Sequence, residues 1–120
     1  MLPPIFQTLK AAGTVTALIG NPPRAYRHGA APQDVLKPYV TWFIVGGVPE
    51  NTMSELPQID RLPVQVDCWS TSDSGVEALA VAVRNALEPS AHMTSIILDE
   101  QEPETKLYRI SMQFDWWLSR

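Results

Sequence analysis

The chain has 120 residues, 45% of them apolar, and thirteen acidic against nine basic side chains give it a net charge of -4. That length suits one domain spanning residues 1–120, burying somewhat under about 70% of its unfolded surface, so association would add apolar burial that one copy lacks. No apolar run reaches the roughly 18 residues of a membrane span, and no Lys/Arg tract marks a nucleic-acid footprint.

Arg24 and Arg27 stand near a turn and read as a solvated face. The acidic balance permits a channel wall that DNA slides past without binding. The single cysteine, Cys68, lies in an apparent strand among apolar neighbours and reads as a buried, inert thiol. The N-terminal MLPPIFQTLK lacks the basic-then-apolar pattern of a signal peptide. Both features place the protein in a reducing interior, or in a particle built there.

In chain order, Met1 to Gly20 reads as a first helix. Pro3 and Pro4 suit its first turn, and Ile5, Phe6, Leu9, Val15, Leu18 and Ile19 recur at helical spacing. Gly13 opens the alternative of two short helices, with Thr14 capping the second. Ala25 to Arg27 forms a short strand. Tyr39 to Gly46 is a strong one, carrying large apolar groups on both faces and therefore expected to be central or covered on each side. Residues 47–60 read as a long surface loop punctuated by Pro49, Asn51 and Pro57.

From Arg61 to Trp69 the pattern alternates, with Leu62, Val64, Val66 and Cys68 on one face and Gln65, Asp67 and Trp69 on the other. Pro63 marks an edge or bulge at its start. Ser72 or Asp73 caps a helix whose apolar stripe is Val76, Leu79, Val83, Ala86 and Leu87. His92 to Glu100 and Lys106 to Leu118 are the last two strands, joined as an antiparallel hairpin through the acidic 99–104 stretch. In the final strand Tyr108, Ile110, Met112, Phe114, Trp116 and Leu118 share one face; Arg109, Ser111, Gln113, Asp115 and Trp117 share the other. The chain reads as free of internal repeats. The predicted class is α+β, a small α/β sandwich in which a mostly antiparallel sheet of about four strands packs against two helices.

An enzymatic inventory is missing. His28 and His92 belong to no metal-spaced cluster with Cys68, and no nucleophile elbow, phosphate loop or dinucleotide fingerprint occurs. No catalytic residue, cofactor or metal site is therefore assigned. Asp67 and Asp115 would divide acid and base work if they converged; the favoured reading pairs them with Arg61 or Arg109 across the sheet. The unusual feature is four tryptophans: Trp42, Trp69, Trp116 and Trp117. Adjacent Trp116 and Trp117 must face opposite sides of a strand. Large aromatics on a polar sheet face are anchors of protein interfaces. Two readings stand for Trp69, cover by the first helix or an interface. Trp117, with Arg109 and Asp115 on the same face, is assigned to an interface.

These features, taken in order, resemble the tail completion or tail terminator proteins of long-tailed bacteriophages. The resemblance rests on the N-terminal helix with Leu9 and Leu18-Ile19, and on the turn Gly29-Ala30-Ala31-Pro32 leading to Pro38-Tyr39-Val40. It continues through RLPVQVDCWS, the Val76–Leu87 helix and the aromatic YRISMQFDWW. It implies a non-enzymatic virion protein that closes into a hexameric ring at the head-proximal end of the tail. Such a ring ends tail-tube polymerisation and offers the head–tail joining surface. Its partners would be further copies, the tail tube protein and the connector proteins, with DNA passing through and assembly in the host cytoplasm. The 47–60 and 99–104 segments are the expected contacts with tube or connector. A head-closure or connector adaptor of the same particle is the alternative, and a small ligand- or protein-binding module a more distant one.

Overall fold

A computed structural model describes residues 2–46, 48–50 and 59–119. The N-terminal segment forms two short helices, α1 (Ile5–Ala11) and α2 (Gly13–Ile19), because Ala12 between them is extended. That resolves the open alternative in favour of the break, although Thr14 is not the cap. Ala12 holds that position, and no side chain caps the helix. β1 (Ala25–Arg27) and β2 (Tyr39–Ile44) follow, then β3 (Val48–Glu50) and β4 (Ile59–Ser70). α3 (Asp73–Leu87), β5 (His92–Gln101) and β6 (Tyr108–Ser119) complete the chain.

The strands form one mixed sheet in the order β1-β2-β4-β6-β5, with β3 paired to β4 off that path. The α+β class is as expected, but among the described residues the count is six strands and three helices. One extra strand, β3, falls inside the expected 47–60 loop; the rest of that segment, apart from Ile59 and Asp60, lies outside the described residues. β1 runs parallel to β2, and every other pairing is antiparallel.

β4 and β6 are paired along all twelve residues of each and form the spine of the sheet. Pro63 sits inside this spine rather than at an outer edge. Its carbonyl accepts from Val45 N–H at 2.7 Å, and its nitrogen points to the same side, between the end of the β2 ladder at Val64 and the start of the β3 ladder at Arg61. The missing N–H therefore costs the return bond to Val45, at a place where the ladder is interrupted anyway.

All three helices lie on one side of the sheet. α3 packs on β4 and β6, and α1 and α2 pack on α3. Ser72 caps α3 by accepting from Gly75 N–H at 3.0 Å. A Cβ at Gly75 would come within 2.6 Å of the Ser70 and Ser72 hydroxyls, so a side chain there would make both shift. The core joins Ile5, Leu9, Val15 and Ile19 to Val76, Leu79, Val83 and Leu87. From the sheet it takes the even-numbered face of β4 and β6, including Val64, Val66, Cys68, Met112, Phe114 and Trp116. Cys68 is buried and free, and burial followed by the Asp67 charge pushes its thiol pKa up. That agrees with an inert thiol.

Candidate interaction surface

The opposite face of the sheet has no helix over it among the described residues. This is where the odd-numbered residues of β4 and β6 stand. Written side by side, they repeat one pattern, Arg-x-x-x-Gln-x-Asp-x-Trp: Arg61, Gln65, Asp67 and Trp69 on β4, then Arg109, Gln113, Asp115 and Trp117 on β6. The expectation of no internal repeat is corrected here. Its two copies sit in unrelated sequence contexts, and only the strand pairing aligns them.

The register places Gln65 opposite Gln113, Arg61 opposite Trp117 and Trp69 opposite Arg109. An approximate two-fold axis through the Gln65–Gln113 pair thus exchanges the two copies. Each arginine reaches diagonally to the aspartate of the other copy. Arg109 Nη2 donates to Asp67 Oδ2 at 3.3 Å, and Arg61 Nη1 donates to Asp115 Oδ2 at 3.1 Å. Both carboxylates are thereby buried as ion pairs. The acid–base reading fails on distance: Asp67 faces Ser111, and Asp115 is four residues further along β6, about 13 Å away.

The two halves differ in what completes them. Around Trp69, β2 supplies the missing parts. Tyr39 lies opposite Trp69 and stacks on it, with ring centroids 5.9 Å apart and planes at 8°. Thr41 Oγ1 accepts from the indole N–H at 3.0 Å. The Arg109 guanidinium lies 5.0 Å from the ring centroid on a cation–π contact, and it also donates to Ser111. Gln65 donates to the second oxygen of Asp67 at 3.0 Å. Burial, and after it the Glu102 carboxylate, raises the pKa of the Tyr39 hydroxyl. The first helix does not cover Trp69: the ring is half-buried, and its cover comes from Tyr39 and Arg109.

Around Trp117 the corresponding parts are absent among the described residues. β5 begins at His92, opposite Asp115, so it stops short of the position that would match Tyr39. The Trp117 ring is 45% exposed and makes no stacking, cation–π or hydrogen-bond contact among the described residues. Asp115 Oδ1 is buried without a hydrogen-bond partner, although Asp67 has both oxygens engaged. A buried acceptor left open costs about 1–3 kcal/mol and is uncommon without a reason.

Elsewhere, His28 and His92 are exposed, as the sequence implies. No group of metal-ligating side chains comes together among the described residues. Of the 99–104 stretch, Asp99 and Glu100 belong to β5 itself.

The family described as tail completion protein gp17 matches residues 3–119. Twelve chains of solved structures match as well. Among them is a chain from the virion of a native gene transfer agent particle, at 16% identity and a TM-score of 0.67, over 97% of this chain and 92% of that one. At that identity the likeness is one of fold. No curated protein sequence matches the chain.

Proposed function

Starting from the fact that this chain belongs to the tail completion protein gp17 family, we propose that it is the virion structural protein that closes the head-proximal end of a tail. In this reading identical copies form a ring, six in number as the family resemblance implies. The ring ends tail-tube polymerisation and presents the surface to which the head joins. DNA passes through its opening without specific contacts, and the -4 charge of each copy favours that passage. The chain contributes surfaces rather than chemistry.

The observation that carries this reading is the unfinished half of the repeated motif. Trp117 offers an exposed aromatic anchor on a face that no helix covers among the described residues, beside Asp115, whose Oδ1 is buried without a partner. A partner protein with a flat apolar surface and an acceptor for the indole N–H would complete it, as β2 completes the half around Trp69. The tail tube and the connector are the candidate partners for this face.

Particles made without this protein test the role by negative-stain microscopy. Overlong or unfinished tails are expected. Normal tails beside leaking or tailless heads would instead assign it to head closure.

A further inference from the structure

The sheet's two outer margins carry opposite charge. Residues 20–40, which include β1 and the segment leading to β2, hold Arg24, Arg27 and Lys37 against Asp34 alone. β5 and its connection to β6 hold Asp99, Glu100, Glu102 and Glu104 against Lys106 alone. None of these side chains forms an ion pair among the described residues.

Each margin also carries one apolar feature. On the basic side, Leu36 is 70% exposed, more than any other large hydrophobic side chain described. Its backbone is nevertheless fixed. Arg24 Nε donates to the carbonyls of Leu36 and Pro38, each at 3.2 Å, while Arg24 Nη2 donates to that of Leu18 at 3.3 Å. Val35 beside it is buried. Leu36 is thus a knob held outward by a rigid turn, so little ordering entropy remains to be lost when it docks.

On the acidic side, α3 covers β4 and β6 but not β5, which leaves a slot of about 140 Å³ between α3 and β5. Val81 and Ile96 form its exposed walls, Met112 its floor, and Glu77, Asp99 and Arg84 its charged rim, the arginine being paired to Glu88. An apolar cavity of about 150 Å³ takes a ring the size of benzene, so a leucine side chain is of suitable size.

We infer that Leu36 of one copy docks in the α3–β5 slot of the next, with Lys37 beside the Glu77 and Asp99 carboxylates. Knob and slot lie at opposite margins of one sheet, so they cannot meet within a chain. Joined between copies, they make a head-to-tail contact that repeats and closes by rotation. This joint rests on the ring reading above, and it leaves the Trp117 half-site free for a different protein of the particle.

The test is native mass measurement of the parent chain, of Leu36→Asp and of Val81→Arg, together with a 1:1 mixture of the two variants. Both positions are exposed, and circular-dichroism melts matching the parent establish that the variants fold. The parent forms a ring. Each variant alone stays at 13.3 kDa, with the joint weakened about 30-fold or more. The mixture gives a dimer and nothing larger, because the Leu36→Asp chain keeps a good slot and the Val81→Arg chain a good knob. Variants that assemble as the parent does, or a mixture that stays monomeric, overturn the joint while leaving the ring intact. A parent that never exceeds one chain, even with tail tubes present, overturns the ring reading and the joint with it.

Discussion

Two halves of one sheet face carry the same four side chains and behave differently. Around Trp69 every polar group of the motif finds a partner within the chain, because β2 runs alongside and brings Tyr39 and Thr41 into register. Around Trp117 the neighbouring strand begins too late, and an indole ring and a carboxylate oxygen are left over. The comparison teaches that a residue's identity does not decide whether it serves folding or docking. What decides it is whether the fold brings a second strand to finish the site. The half around Trp69 also shows the chemistry that a partner should bring to Trp117: a flat apolar surface and an acceptor for the indole N–H.

The largest expected effect lies in the finished half. Trp69→Ala removes a stacked, half-buried ring and uncovers the Arg109–Asp67 pair, and it should lower stability by about 3 kcal/mol in urea unfolding. A loss near zero would mean that β2 does not complete that half. The aspartates give a sharper contrast. Asp67→Ala should cost about 2 kcal/mol, since Arg109 loses its carboxylate at a site where its side chain is only 23% exposed. Asp115→Ala should cost about 1 kcal/mol or less, because Arg61 is 35% exposed and the unpartnered oxygen leaves with the substitution. Equal costs would erase the distinction between the halves.

Thr41→Val removes only the acceptor for the Trp69 indole and should cost about 1 kcal/mol, read as a shift of the urea midpoint. The smallest effect is a pH dependence. The folded state raises the Tyr39 pKa, so the neutral phenol contributes stability that is fully present below its unfolded value of about 10 and is lost as pH rises through the folded value. Stability of Tyr39→Phe should therefore fall less steeply than that of the parent above about pH 10. Parallel curves would show that the hydroxyl is not titrating in that environment.

Much of the architecture was legible in the sequence. The alternation of Leu62, Val64, Val66 and Cys68 against Gln65, Asp67 and Trp69 gave the faces of β4 correctly, and the stripe from Val76 to Leu87 gave the buried side of α3. That Asp67 and Asp115 pair with Arg61 or Arg109 across the sheet followed from alternation and charge, but which arginine takes which aspartate did not. What could not be read was register. The Arg-x-x-x-Gln-x-Asp-x-Trp repeat is visible in the letters once the strands are paired, but nothing local says that Gln65 faces Gln113. The same limit explains the Asp67–Asp115 alternative, which depended on an offset along neighbouring strands. β3 escaped notice because three residues around Pro49 carry too little pattern, whereas Pro63 does mark the irregularity between the β2 and β3 ladders.

The measurement that tests the account most directly is Trp117→Ala, read twice: by urea unfolding of the isolated chain, and by the fraction of particles with completed tails when only the variant is supplied. The account predicts a stability change within about 0.5 kcal/mol together with a clear loss of completed particles. A variant that unfolds as readily as Trp69→Ala, or that completes tails at the parental level, would contradict it.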